Sequence, residues 1–141
     1  VVDPYQVVEA RAAGADAILL IVAALSDEEL DRLSREAARW GLDVLCEAHD
    51  PAEVVRAVRL PARIIGINHR DLRTFTVDTT LAKRMRPDIP PDRVIVAESG
   101  IKTASDVHGL RAAGINAILV GETLMRGDDP GRALRELLSE P

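Results

Sequence analysis

Residues 93–122 read RVIVAESGIKTASDVHGLRAAGINAILVGE, and the order of residue types in this stretch decides the fold. An apolar run over 93–98 breaks off at Glu98-Ser99-Gly100. Thr103 and Asp106 then offer capping oxygens ahead of Val107, Leu110 and Ala113, which recur at helical intervals. A glycine turn leads into a second apolar run, 117–121, which ends on Gly121-Glu122. The stretch reads as strand, helix, strand, with polar or glycine residues at the carboxyl end of each strand.

The same beat extends upstream. Apolar runs at 17–22, 43–47 and 63–68 complete five strand candidates, whose starts span 100 residues in four intervals, 25 on average. Ile, Val, Leu and Ala follow one another almost without interruption, as expected for parallel strands covered on both faces. Between them, Ser26 and Glu29 form a capping box for a helix that carries Leu30, Leu33, Ala37 and Trp40 on its apolar face and stops at Gly41. Asp50-Pro51 opens another helix, one is expected over 78–85 before Pro87, one over 130–138, and one over 4–13. The order is α(βα)5. Residues 12–20, AAGADAILL, and 112–120, AAGINAILV, repeat one helix end, turn and strand. The competing explanation is that any glycine-capped helix entering a buried strand converges on such residues. No linker interrupts the chain, so 1–141 is read as a single domain.

Five βα units fit either a doubly wound sheet or part of an eight-stranded barrel. Glu47, Asn68, Glu98-Ser99-Gly100 and Gly121-Glu122 stand at the carboxyl ends of four successive strands. A doubly wound sheet brings its loops together mainly at one switch point, whereas a barrel turns every strand end toward one mouth. The expected fold class is therefore α/β, a partial (β/α)8 TIM barrel with five parallel strands. A closed barrel takes about 250 residues, so edge strands are expected to lack partners. That predicts self-association through the sheet edges, or pairing with missing N-terminal strands of the same barrel.

Composition narrows the function classes. The 141 residues are 47% hydrophobic and 29% charged, which excludes disorder from lack of apolar surface. The longest apolar run, 17–25, is nine residues, against the ~20 of a membrane helix; no membrane partner is expected. A net charge of -5 argues against nucleic acid, and Tyr5, Trp40 and Phe75 are too few aromatics for a base-stacking platform. One cysteine, Cys46, fits a packed thiol and a cytoplasmic location. His49, His69 and His108 lack metal-ligand spacing, so no metal is expected. Val1 follows no initiator Met and no charged leader with an apolar stretch, so no secretory signal is expected and the chain reads as starting within a longer sequence.

An anion site follows from the strand ends. Loops after the last two strands of such barrels commonly hold phosphate, and glycines there let an anion approach backbone N–H groups. Ser99, Gly100, Gly121 and Glu122 are therefore candidate phosphate binders, Glu122 through its N–H with its carboxylate turned away. Turn glycines without a ligand are the competing reading. If Cys46 faces the helices, alternation turns Glu47 into the mouth, where partial burial can tune a carboxyl for proton transfer. The alternative is a strand-end carboxylate paired with an arginine.

The segments DPYQ (3–6), EARAAGADAILLIVAAL (9–25), VLCEAHD (44–50), IGINHRDL (65–72), VAESGI (96–101) and ILVGETLMR (118–126), in this order and spacing, resemble the indole-3-glycerol phosphate synthase family. The resemblance covers essentially the whole chain, from the family's third helix to its eighth. It implies closure of 1-(2-carboxyphenylamino)-1-deoxyribulose 5-phosphate to indole-3-glycerol phosphate with loss of carbon dioxide and water, without metal or organic cofactor. It assigns Glu47 an acid/base role, Asn68 the ribulose hydroxyls and Arg70 the anthranilate part; Glu98 would orient Asn68 or a substrate hydroxyl. Arg70 as a rim ion pair with Asp71 or Glu47, and Glu98 as a structural acceptor, compete with those roles. The family's principal acid is a lysine in a Lys-Asp-Phe stretch placed just before the position of Val1, so this chain alone is expected to turn over little or no substrate. Another phosphate-binding barrel enzyme, such as a phosphoribosyl-compound isomerase, and a non-catalytic self-assembling half-barrel are the alternative functions.

Overall fold

The computed structural model describes residues 1–139. The elements are α1 (Pro4–Ala12), β1 (Ala17–Ile21), α2 (Asp27–Arg39), β2 (Asp43–Ala48), α3 (Pro51–Ala57), β3 (Ile64–Asn68), α4 (Leu81–Met85), β4 (Val94–Glu98), α5 (Ala104–Ala112), β5 (Ala117–Leu119), α6 (Glu122–Met125) and α7 (Pro130–Leu137). All five strands are parallel and pair in sequence order, β1-β2-β3-β4-β5, without the reversal a doubly wound sheet requires. Right-handed crossovers in one direction stack the helices on a single face. Among the described residues β1 pairs only with β2 and β5 only with β4, so the sheet is open.

Burial separates the two faces. Leu20, Cys46, Ile65, Ile67 and Ile95 alternate onto the helix side and are fully buried against Leu30, Leu33, Val54 and Met85. The other face, carrying Leu19, Val94 and Leu119, is 37–51% exposed at those residues. Covering of both faces, expected from the apolar runs, is thus met on one face only. This is the geometry of a barrel segment whose inner surface needs further strands to fill it.

Local chemistry sets the element ends. Ser26 and Glu29 exchange the two bonds of a capping box (3.2 and 2.7 Å), and Thr103 with Asp106 does the same (3.2 and 2.9 Å). The repeated AAG turns are built alike: Gly14 and Gly114 take left-handed φ values of 89° and 79°. The next residues, Ala15 and Ile115, donate back five positions to Ala10 and Leu110 at 3.0 and 3.1 Å. Trp40 departs from expectation. It caps α2 instead of continuing its stripe, stays 40% exposed, and donates its indole N–H to Glu36; Ser34 takes the buried position. The helix expected over 78–85 starts only at Leu81, because the Asp78 carboxylate accepts from the Thr80 N–H and hydroxyl and holds a competing turn. Strand β5 ends at Leu119, two residues early, and the short α6 begins at Glu122.

Arg56 on α3 ties the loops at the carboxyl ends of the first units. Its guanidinium donates to the Val22 and Leu25 carbonyls (3.0 and 2.6 Å) and to Asp27 at the start of α2 (2.5 Å). Arg56→Met leaves those acceptors without their donor and is expected to cost about 1–3 kcal/mol in urea unfolding with unchanged m-value. A loss under about 0.5 kcal/mol would mean the tie is dispensable.

Candidate active site

Strand register brings the acidic residues together. Glu47 pairs with Gly66, and Asn68 pairs with Glu98, so alternation places all four on the inner face. Glu47 and Glu98 are each 4% exposed and Asn68 8%, although the flanks of this face are open. The Asn68 amide donates to Glu47 Oε1 at 3.2 Å and its carbonyl accepts from the Arg70 N–H at 3.0 Å. Gly66 has no side chain because a Cβ there would collide with the Glu98 carboxylate, which folds over β3 toward Glu47. Burial, the adjacent Glu47 charge and the hydrogen bond with Glu47 push Glu98 up to about 8. Glu98 therefore keeps its proton through the neutral range. Glu98 meets Glu47, and it is Glu47 that Asn68 orients; of the two roles considered for Glu98, orienting Asn68 or a substrate hydroxyl, the first has no side-chain hydrogen bond behind it among the described residues.

The neighbouring wall is the anion candidate. A cavity of about 280 Å³ is lined by Asn68, Arg70, Glu98, Ser99, Gly100, Lys102, Gly121 and Glu122, among others. Ser99 and Gly100 both take left-handed φ, 66° and 71°. For Ser99 this costs of order 1 kcal/mol, and His69 holds it in place: the imidazole Nδ1–H donates to the Ser99 carbonyl at 3.0 Å from the helix side of β3. Burial drives the His69 pKa down, consistent with a neutral ring. Thr123 donates to the Ile101 carbonyl at 2.6 Å and so joins the loop after β4 to the start of α6.

The charges around this cavity differ from the sequence reading. Glu122 does not turn away: its carboxylate reaches the Arg70 guanidinium at 3.1 Å and also pairs with Arg126, whose hydrogen bond is the main cause of its lowered pKa. Arg70 thus has Glu122 as its rim partner, where Asp71 or Glu47 was considered. Lys102, which the sequence reading does not assign to the site, stands on the cavity wall. His49 was also passed over except as a metal ligand, yet its Nε2 lies 3.1 Å from Glu47 Oε1 and its Nδ1 3.2 Å from Glu53. The spacing Glu47-x-His49-x3-Glu53, one residue near the end of β2, one just past it and one in the first turn of α3, was the available signal. Among the described residues no group of three His, Cys, Asp or Glu side chains is arranged to hold a metal. Cys46 is fully buried, and its thiol is pushed up to about 12, which suits packing and not nucleophilic chemistry.

Glu98 makes stability pH-dependent with a definite sign. The folded protein keeps this proton to about pH 8, whereas the unfolded carboxyl loses it near 4.5. The folded state binds the extra proton between those values, so stability falls as pH rises across the window. Urea unfolding is expected to give a higher midpoint at pH 5 than at pH 8.5, with the difference reduced in Glu98→Gln; an equal slope in that variant would remove Glu98 as its source.

Comparison with known proteins agrees with this architecture. The family model described as indole-3-glycerol phosphate synthase matches residues 1–137. An indole-3-glycerol phosphate synthase of Koribacter versatilis (strain Ellin345) is 54% identical over 138 residues, covering 98% of this chain and 53% of the relative. One of Acidithiobacillus ferrooxidans (strain ATCC 53993 / BNL-5-31) is 54% identical over 136 residues, covering 96% and 52%. The chain spans about half the length of these curated relatives. In fold it is similar to 3-hexulose-6-phosphate synthase from Salmonella typhimurium, with TM-score 0.80 and 16% identity over 97% of this chain and 67% of that one. A chain of the tryptophan synthase α2β2 complex from Pyrococcus furiosus superposes with TM-score 0.73 and 17% identity, covering 96% and 58%. With half of a barrel, its strand ends and its motifs all matched, the chain belongs to the indole-3-glycerol phosphate synthase family.

Proposed function

We propose that the protein carrying this chain is an indole-3-glycerol phosphate synthase. It closes the indole ring of 1-(2-carboxyphenylamino)-1-deoxyribulose 5-phosphate with release of carbon dioxide and water. The observation that carries the proposal is the buried Glu47 and Glu98 pair, set beside a glycine-lined cavity on the same strand ends.

Each step asks for a group this mouth contains. Dehydration requires a proton delivered to a departing hydroxyl, and Glu47, backed by the protonated Glu98, is placed to move it. Asn68 holds Glu47 in orientation and, from the cavity wall, offers its amide to the ribulose hydroxyls. The phosphate sits on the N–H groups of Ser99, Gly100, Gly121 and Glu122, with Lys102 as its countercharge. Arg70 takes the anthranilate carboxylate by exchanging its Glu122 partner for the substrate. No cofactor is required by these steps.

The assay is formation of indole-3-glycerol phosphate by the protein carrying this chain, and absence of product refutes the reading. Glu47→Gln is expected to lower kcat by about 100-fold or more with KM changed only a few-fold; full activity in that variant would remove Glu47 from the chemistry. At Gly100 a Cβ would press on Val77 and the φ of 71° disfavours any side chain. Gly100→Ala is therefore expected to raise KM about tenfold, about 1.4 kcal/mol of binding, more than it lowers kcat. An unchanged KM would place the phosphate elsewhere.

A further inference from the structure

The His49 side chain lies in the wall behind Glu47 and is only 9% exposed. Glu53 Oε2 accepts the His49 backbone N–H at 2.7 Å and stands 3.2 Å from the ring Nδ1. A carboxylate at that distance fixes the ring nitrogen as a donor, so Nδ1 carries hydrogen. The other nitrogen, Nε2, is buried, makes no hydrogen bond, and lies 3.1 Å from Glu47 Oε1. Two lone pairs at this separation repel, and the contact becomes favourable only when a proton sits on Nε2 or on the Glu47 carboxyl. Beyond the ring, a second cavity of about 310 Å³ opens, lined in part by His49, Glu53, Arg56, Asp71 and Arg73. Glu47 itself is closed off, with Asn68 and Glu98 on the mouth side.

We propose that His49, oriented by Glu53, is a positioning and proton-relay residue that recharges the buried Glu47 from solvent in the second cavity. The proposal rests on the synthase reading of Glu47. When the proton that Glu98 holds has passed through Glu47 to the reacting atoms, the His49 Nε2–H bond breaks and a Glu47 O–H bond forms, the electron pair staying on Nε2. The neutral ring, which keeps its Nδ1 hydrogen, then turns so that Nε2 reaches the second cavity. There a buffer acid gives it a proton and leaves as its conjugate base, and the charged ring turns back onto Glu47. Glu53 on α3, Glu47 on β2 and Asp71 after β3 are the anions around the ring, and Arg56 on α3 and Arg73 the cations.

The test uses the protein carrying this chain, with indole-3-glycerol phosphate formation as readout. His49→Ala is expected to lower kcat about 10- to 100-fold with KM within about threefold. Imidazole added to the buffer should restore rate in proportion to its concentration, and should not do so in the Glu47→Gln, His49→Ala double variant. Glu53→Gln removes an anion that favours the imidazolium, so the pH profile limb that reports its loss moves to lower pH. Activity of His49→Ala within about twofold of wild type overturns the relay, as does a folded, impaired His49→Ala that imidazole leaves unchanged. If His49→Ala does not fold, Glu53→Gln decides, and an unshifted profile overturns the proposal. A wild type that forms no product refutes the synthase reading and the relay with it, whereas wild-type product with both variants unaffected refutes the relay alone.

Discussion

Two carboxyl groups from strands that are not neighbours meet across Gly66 because that residue has no side chain in the way. Everything assigned to the site depends on this contact. Burial of two acids at such proximity disfavours ionising both, and the proton retained by Glu98 is the outcome. Asn68 orients Glu47 beside the proton that Glu98 retains.

The fold supplies the geometry at low cost. Parallel strands in unbroken order direct every carboxyl end to one side, so β2, β3 and β4 deliver Glu47, Asn68 and Glu98 without any long loop. The helix side of the sheet carries the continuous apolar core, which leaves the inner face free to hold polar groups. His69 links the two sides: its ring lies on the helix side and fixes the strained Ser99 turn that borders the cavity. Arg70, Lys102 and Glu122 rim the opening, with Glu122 paired to Arg70 and to Arg126 behind it.

Much of this was legible in residue order. Apolar runs, capping spacings and polar strand ends revealed five parallel strands and one mouth, because each rests on local chemistry within a few residues. The face that a helix end or a rim side chain adopts was not legible. Trp40 sits one residue past the last helical turn, where the stripe no longer applies, and Asp78 delays α4 with side-chain bonds that periodicity does not register. Glu122 and Arg70 are 52 residues apart, and their contact depends on how two loops approach. The two-sided covering expected of parallel strands failed for a related reason: continuous apolar runs do not reveal whether the inner face is filled by helices or by further strands. The Glu47 and Glu98 contact was hidden too, since it depends on an empty position, Gly66, on the strand between them.

The most direct measurement is a carboxyl 13C NMR titration of Glu98 in the protein carrying this chain, compared with Gly66→Ala. The account predicts a titration at about 8 in the wild type, well above the ordinary 4.5. It also predicts a fall toward the ordinary value once a methyl group displaces the carboxylate from Glu47. A wild-type Glu98 that titrates as an ordinary carboxyl, or one that Gly66→Ala leaves unmoved, would contradict it.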